Sequence, residues 1–230
     1  MGLAIDARVR GRLVRRYKRF LADVETGPGR RLTVHCPNPG SMRGLAIPGA
    51  AVRCSESDAP GRRLRHTLEM VRIGRVWVGL HTGRANAVVA RALEAGAVPE
   101  LAGYRRLERE VRSGRVRLDF RLRDPGECWL EVKSATLAEG SLALFPDSVS
   151  ERGRRHLEAL ARLRRRGHRA ALLFLVQRAD CHGVAPADAI DPAYGRALRR
   201  AARAGVELFA LGARVGPRGI RVERRLPVVL

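Results

Sequence analysis

Two carboxylates and a lysine occur within a stretch whose pattern predicts a β-hairpin. Residues 115–123 and 127–133 each alternate apolar and polar side chains, and Asp-Pro-Gly at 124–126 separates them. A three-residue turn ending in glycine fixes the pairing of the two strands and places Asp119 directly opposite Glu131. Directly opposed side chains have Cβ atoms about 4.5–5.5 Å apart. The pattern therefore predicts two carboxylates held side by side on one face of a sheet.

Carboxylates at this separation repel each other unless a proton or a cation lies between them. Hard divalent cations such as Mg²⁺ or Mn²⁺ prefer oxygen ligands of this kind. Lys133 follows Glu131 by two residues and so reaches the same face of the strand. The alternative interpretation is an ordinary solvent-exposed strand, because Glu-Val-Lys is a common pattern on such strands.

The same register predicts two further features of the hairpin. It places Arg117 opposite Lys133, which makes a basic pair beside the acidic one. It also gives the first strand a single apolar face made of Val116, Leu118, Phe120 and Leu122.

Lysine is rare in this chain. Lys18 and Lys133 are the only lysines among 45 basic residues, so arginine is used almost wherever a positive charge suffices. A planar, permanently charged guanidinium cannot replace a compact ammonium group that touches a water or a phosphoryl oxygen. Lys133 is therefore a candidate for direct contact with a reacting group.

The net charge of +22 and the pI near 11.6 indicate a polyanionic partner. Nucleic acid and an anionic membrane surface both fit this charge, and we favour nucleic acid. Codon usage offers a competing explanation, because a GC-rich genome also enriches arginine, alanine and glycine at the expense of lysine. Part of the charge then reflects codon bias.

The length of 230 residues and the apolar content of 45% allow a sizeable core, and we expect two domains. The N-terminal stretch lacks an apolar signal region, and the longest apolar run, 170–176, is too short to cross a bilayer. We therefore expect a cytoplasmic protein that does not enter a membrane. The cysteines show no metal-binding spacing and are predicted to be buried thiols: Cys36, Cys54, Cys128 and Cys181.

The first third of the sequence predicts a small all-β unit. Its strand candidates are 11–24, 31–36, 50–55, 64–73 and 75–81. Five short strands are typical of a small barrel. On the first of them, basic and aromatic residues alternate in a way that suits phosphate contact and base stacking; these DNA-binding candidates are Arg15, Arg16, Tyr17, Lys18 and Arg19. The alternative is a barrel strand with Tyr17 partly inward.

From residue 84 onward the pattern changes to an α/β arrangement. Helical spacing over 84–95 is followed by a strand at 104–112 and then by the hairpin. Ser148 to Glu151 is a capping-box candidate for a helix that runs to Arg166. The remaining elements are predicted as a strand at 170–176, a helix at 192–205 and a strand at 206–211.

These motifs resemble known families at two levels. Aspartate, a turn and Glu-x-Lys resemble the core of the PD-(D/E)xK nucleases, and the predicted order of helix, three strands, helix and strand is similar. Five segments closely resemble the sugar fermentation stimulation protein family; they lie at 35–42, 117–120, 131–134, 145–157 and 176–178. This resemblance implies an N-terminal OB-fold barrel over 1–82 and a C-terminal PD-(D/E)xK nuclease-like α/β domain over 83–230. It also implies DNA binding and a role in regulating sugar metabolism genes.

Carried over to this chain, the resemblance implies that Asp119 and Glu131 bind Mg²⁺ or Mn²⁺ and that Lys133 acts in catalysis or contacts phosphate. Glu151 is expected to cap its helix. The candidate accessory acids are Glu110, Asp147 and Glu94. The candidate DNA contacts in the second domain are Arg117, Arg152, Arg155 and Gln177, although Gln177 could instead brace the site or be an ordinary polar residue at a strand end. Arg152, Arg155 and His156 could touch phosphates or simply solvate their helix.

Two functions are compatible with these features. The first is a metal-dependent DNA phosphodiesterase, which the intact Asp, Glu and Lys favour. The second is a non-catalytic DNA-binding regulator of sugar metabolism genes that keeps the nuclease fold. The sequence contains no recognition-helix motif, so low sequence specificity is expected in both cases.

Overall fold

The computed structural model describes residues 2–230, so residue 1, the first of the predicted N-terminal domain, lies outside the described residues. The strands are β1 (Gly2–Ala4), β2 (Val9–Tyr17), β3 (Leu21–Gly27), β4 (Arg30–His35), β5 (Ala51–Glu56), β6 (His66–Ile73), β7 (Val76–Gly79), β8 (Arg106–Ser113), β9 (Val116–Arg123), β10 (Glu127–Ala135), β11 (Leu137–Glu139), β12 (Leu142–Phe145), β13 (Arg169–Val176), β14 (Gly183–Pro186), β15 (Glu207–Gly216) and β16 (Gly219–Arg225). The helices are α1 (Gly83–Glu94), α2 (Glu151–Arg165) and α3 (Pro192–Arg203), and a short 3-10 helix spans Pro99–Leu101.

The N-terminal part of the chain forms a closed barrel, as the sequence predicts. Its strands lie in the order β4-β3-β2-β5-β6, an additional pairing of β4 with β6 closes the barrel, and β7 extends it beside β6. Apolar residues at alternate strand positions point inward and fill the core; among them are Leu13, Val24, Val34, Val52 and Leu68. The predicted OB-type barrel is thus confirmed.

The prediction of a single strand at 11–24 is wrong. Residues 9–17 and 21–27 form separate antiparallel strands, β2 and β3. The turn between them contains Lys18 and Arg19 with φ angles of 46° and 63°, a conformation that few non-glycine residues adopt. The sequence therefore gives little warning of this turn, because neither residue is a typical turn former.

The second part is an α/β domain, also as predicted. A mixed sheet in the order β1-β16-β15-β13-β10-β9-β8 has α1 against one face and α2 and α3 against the other. The predicted sequence of helix, three strands, helix and strand is present, and a small sheet of β11, β12 and β14 is added to it. Within residues 2–230, none of the helices has the length and apolarity needed to cross a membrane.

The beginning of α2 differs from the predicted capping box. Ser150, rather than Ser148, is the N-cap, and its hydroxyl accepts a hydrogen bond from the backbone N–H of Gly153 at 3.1 Å. Glu151 is the first helical residue and does not cap the helix through its side chain. The helix continues to Arg165, close to the predicted end.

The barrel and the α/β domain contact each other directly, in addition to being joined by the chain. β1 pairs with β16, so residues 2–4 belong to the large sheet and not to the barrel in which the predicted domain 1–82 would place them. Met70 of β6 and Ile5 are buried in the same apolar cluster as α1. The backbone N–H of Gly79 donates to the carbonyl of Gln177 at 3.0 Å. Barrel and α/β domain therefore pack on each other through buried contacts.

Candidate functional site

The β9–β10 hairpin has the predicted register. Arg123 pairs with Glu127 and Phe120 pairs with Leu130, which leaves a three-residue loop at 124–126. Gly126 in this loop has a φ of 67°, the left-handed conformation expected of it. The hairpin and its turn are therefore confirmed, but the ladder ends at Phe120–Leu130, so the predicted direct pairing of Asp119 with Glu131 on one face is not present.

Beyond the Phe120–Leu130 pair, β9 separates from β10. Asp119 lies at this point, and its Oδ2 accepts a hydrogen bond from the backbone N–H of Val132 at 2.8 Å. The carboxylate thus satisfies a backbone donor that no longer has a strand partner on this side. The pairing of Arg117 with Lys133 does not occur, because it would require the ladder to continue past this point.

The predicted single apolar face of β9 is also wrong. Phe120 and Leu122 are buried on the α1 side of the sheet, whereas Leu118 is buried on the side of α2 and α3. The change of side falls at Asp119, between the pairs Arg109–Phe120 and Val111–Leu118 that connect β9 to β8. Glu110 of β8 has a φ of 55° at the same level. A local twist of both strands therefore breaks the regular alternation.

Glu131 is buried and lies on the side of the sheet covered by α2. Its Oε1 accepts a hydrogen bond from the Lys133 ammonium at 2.5 Å and also contacts Nδ1 of His156 on α2. Its Oε2 is buried and has no hydrogen-bond partner within residues 2–230. The hydroxyl of Tyr194 on α3 is likewise buried without a partner in that range. The site thus contains an unused carboxylate oxygen.

The pKa values of the two candidate acids are shifted in opposite directions. Burial, followed by the charge of Glu131, raises the pKa of Asp119 to about 6, although Val132 N–H, Asn86 and Lys133 oppose the shift. Burial also acts to raise the pKa of Glu131, but Lys133 and His156 together outweigh it and hold that pKa below its usual value. At neutral pH the site therefore carries two carboxylates whose charges disfavour each other.

The donor set fits a small divalent cation held by one or two carboxylates, with water and phosphate oxygens as its other ligands. The unpartnered Oε2 of Glu131 and the raised pKa of Asp119 are the observations that support this fit. Over the described residues, no three His, Cys, Asp or Glu side chains converge closely enough to hold a metal ion by themselves.

The three candidate accessory acids do not join this pair. Glu110 is exposed and forms an ion pair with Arg117 at 2.9 Å. Glu94 lies at the end of α1, is 58% exposed and is 3.8 Å from Arg109. Asp147 connects the two domains, because its Oδ2 accepts from the backbone N–H of Met42 at 3.0 Å.

Most of the candidate DNA contacts on the barrel have structural partners. Arg15 pairs with Asp23 at 2.8 Å, and the Tyr17 hydroxyl donates to the same carboxylate. Arg16 donates to the backbone carbonyls of residues 38, 40 and 41, and Arg19 donates to the carbonyl of residue 39. These arginines therefore hold the loop at 38–41. Lys18 is exposed and has no partner within the described residues.

The candidates in the second domain divide into exposed and buried groups. Arg152 and Arg155 lie on the exposed surface of α2, and the Arg152 guanidinium is 3.4 Å from His156. Gln177 is fully buried, and its amide donates to Ser134 Oγ at 2.7 Å. This burial contradicts the expected contact of Gln177 with DNA and favours the bracing role.

Asn86 was not singled out from the sequence, and His156, expected to touch phosphate or solvate its helix, is instead buried against Glu131. Asn86 of α1 donates from Nδ2 to Asp119 Oδ1 at 2.7 Å, and His156 contacts Glu131. The sequence gives one indication that Asn86 is unusual, because Asn38 and Asn86 are the only asparagines in the chain. His156 lies on a predicted helix among arginines, and nothing in its immediate sequence indicates that it is buried.

Comparison with known proteins gives the family. The model described as "Sugar fermentation stimulation protein RE domain" matches residues 83–219, and that described as "SfsA N-terminal OB domain" matches residues 14–80. A sugar fermentation stimulation protein homolog of Geobacter sulfurreducens is 53% identical over 95% of each chain. One of Halorhodospira halophila is 54% identical over 94% of this chain and 93% of its own.

A solved structure agrees with this assignment. The structure of Pyrococcus furiosus SfsA in complex with Ca²⁺ superimposes with a TM-score of 0.92 at 30% sequence identity, covering 99% of this chain and 98% of that one. The agreement extends over the barrel, the α/β domain and their relative arrangement. The chain therefore belongs to the sugar fermentation stimulation protein family.

Proposed function

We propose that this protein binds DNA with low sequence specificity and hydrolyses phosphodiester bonds with Mg²⁺ or Mn²⁺ bound by Asp119 and Glu131. The observation that carries the proposal is that Asp119 accepts from the Val132 N–H, between Glu131 and Lys133, and lies close enough to Glu131 for its charge to act on it. A solvated strand face would not bury Glu131 to 3% exposure with one carboxylate oxygen unpartnered.

Each residue has a defined part in the proposed reaction. A bound divalent cation would neutralise the phosphate and lower the pKa of a bound water. Asn86 and the Val132 N–H fix the Asp119 carboxylate, and His156 fixes Glu131. Lys133 has the only side chain in this cluster that can bring a compact positive charge to the phosphate, where it stabilises the charge that develops during attack.

The solved Pyrococcus furiosus relative is in complex with Ca²⁺, a hard cation of the class that prefers oxygen ligands. We carry this preference to the present chain as part of the proposal. Mg²⁺ requires a tighter octahedral arrangement than Ca²⁺, so the two ions are expected to support DNA binding and catalysis to different degrees.

The second candidate function is a non-catalytic DNA-binding regulator of sugar metabolism genes. It is favoured by the names of the relatives, which refer to stimulation of sugar fermentation. The ion pair of Lys133 with Glu131 is also compatible with a purely structural use of the lysine.

Incubation with labelled single- and double-stranded DNA, with chelator, Mg²⁺, Mn²⁺ or Ca²⁺, separates the two functions. We expect products that require Mg²⁺ or Mn²⁺ and disappear in Lys133→Gln. Lys18→Gln removes the other lysine charge of the chain, on the exposed barrel turn, and is expected to weaken binding while products persist. Binding without products on any substrate would favour the regulator.

A further inference from the structure

We infer that the cavity between the two domains holds one unstacked nucleobase of a bound single strand, and this inference rests on the proposed function. The cavity has a volume of about 360 Å³. The barrel loop at 38–40 forms one wall, and residues 144–152 of the α/β domain form the opposite one. The loop belongs to the motif at 35–42, which the metal site does not use.

The cavity lies beside the proposed reaction site. Ser134, which directly follows Lys133 on β10, is one of its lining residues. Side chains of successive strand residues point to opposite faces, so the closer link is Arg152. This lining residue is 3.4 Å from His156, which contacts Glu131 beside Lys133. A phosphate that contacts Lys133 can therefore place its attached base in the cavity.

The cavity wall combines flat apolar surfaces with hydrogen-bonding groups. Pro39, Leu144, Phe145 and Pro146 contribute the apolar part. Asn38 is 3% exposed, and its Oδ1 accepts from the Gly40 N–H at 2.9 Å, whereas its Nδ2 donates to no residue of 2–230. A nucleobase has an apolar face for the first surface and carbonyl or ring-nitrogen acceptors for this free donor.

Two arginines at the rim suit the phosphates on either side of such a base. Arg19 and Arg152 both line the cavity, and Arg19 uses only its Nε to hold the barrel loop. A base inside a duplex is stacked and paired, so it cannot enter without being flipped out. The geometry therefore selects single strands, or duplexes with an unpaired base, as the substrate class.

The first test compares a thymidine 12-mer with the same sugar-phosphate chain lacking its bases, in chelator so that no turnover is needed. Both ligands carry the same number of phosphates. We expect the wild type to bind the base-bearing strand about tenfold more tightly, the effect typical of one well-stacked base.

Asn38→Asp is the informative variant. It keeps the acceptor for the Gly40 N–H and removes the Nδ2 donor. Its added charge affects both ligands alike, so a smaller affinity ratio between them reports the lost base contact. Phe20→Ala, which removes an aromatic side chain that is 44% exposed on the barrel, should leave the ratio unchanged. A ratio near one in the wild type, or a ratio that falls only in Phe20→Ala, overturns the inference.

The second test requires no variant. A single 4-thiothymidine in the strand is crosslinked to the wild-type protein by light, and the modified peptides are identified by mass spectrometry. Crosslinks within 37–42 or 144–152 support the cavity, whereas crosslinks confined to other segments overturn it. If neither strand binds at all, the proposed function fails as well; if both bind equally, only this inference fails.

Discussion

Asp119 occupies an unfavourable position for a carboxylate without a cation. It is largely buried, it lies near the charged Glu131, and its pKa is raised to about 6 by these two effects. Two hydrogen bonds, from Asn86 and from the Val132 N–H, hold it in place against this cost. A carboxylate in this position does not stabilise the metal-free protein, so its presence indicates a functional role. Its charge is therefore the most direct probe of the site.

We expect Asp119→Asn to change how DNA affinity depends on metal. In chelator the variant should bind DNA more tightly than the wild type, because one charge that repels phosphate has been removed. With increasing Mg²⁺ the wild type should gain affinity and overtake the variant, which lacks an anionic ligand. Titrations of labelled DNA at several Mg²⁺ concentrations measure this. Parallel curves would indicate a simple effect of charge and no metal site.

The stability of the metal-free protein should depend on Asp119 in a defined pH window. Because the folded-state pKa of about 6 lies above the ordinary value of 3.8, this group stabilises the fold below about pH 4. This contribution to the free energy of unfolding, at most about 3 kcal/mol, is lost as the pH rises through 6. Urea unfolding of wild type and Asp119→Asn in chelator should therefore diverge between about pH 4 and 7, in favour of the variant. Equal pH profiles would contradict the burial of the charge.

The sequence predicted the hairpin that carries the candidate residues but not the side chains packed around them. Asp119, Glu131 and Lys133 could be placed because one turn sets their register, and turn geometry is local information. Asn86 and His156 come from helices that reach the site only after the sheet has packed, so spacing along the chain does not show them. The sequence also contains no sign that Arg16 and Arg19 bind carbonyls of a distant loop, because only the folded barrel brings strand and loop together.

At the level of elements, α2 depends on two polar contacts at its beginning. Ser150 caps the helix through its side chain, and its own N–H donates to Asp191 at 2.8 Å. Asp191 in turn caps α3 by accepting from the N–H of Tyr194 at 2.9 Å. The two helices that cover Glu131 therefore start from one connected group of hydrogen bonds.

We expect Ser150→Ala to lower the free energy of unfolding by about 1 kcal/mol, the usual cost of losing such a cap. Ser148→Ala is the matched control, because Ser148 lies two residues earlier and does not cap the helix. Chemical denaturation of both variants provides the measurement. If Ser148→Ala proved the more damaging, the capping box predicted from the sequence would be correct after all.

At the level of the whole molecule, many arginines of residues 2–230 have no acidic partner in that range. Arg10 and Arg53 lie directly opposite each other on β2 and β5, and Arg112 lies opposite Arg117, whose acidic partner is Glu110, on β8 and β9. Like charges in such positions are destabilising. Burial and then the charge of Arg10 lower the pKa of Arg53, although its guanidinium also lies over the ring of Trp77. Codon bias can supply arginines, but an anionic partner would relieve this repulsion.

DNA affinity should therefore decrease steeply with salt. Each phosphate neutralised by an arginine releases counterions, which adds about 0.9 to the slope of log affinity against log salt concentration for duplex DNA. We expect a slope that corresponds to several phosphates, measured by fluorescence anisotropy between about 50 and 200 mM salt. A slope near zero would exclude nucleic acid as the partner of the basic surface.

The pairing of β1 with β16 has a consequence for how the chain assembles during synthesis. β1 is made before the barrel, whereas its partner at Gly219–Arg225 leaves the ribosome after every other described strand. The barrel pairs mostly neighbouring segments and can form early, while β1 must wait unpaired with its backbone donors and acceptors facing water. Closure of the large sheet by β1 is therefore a late event, and until then the emerging chain has an open strand edge that a chaperone could protect.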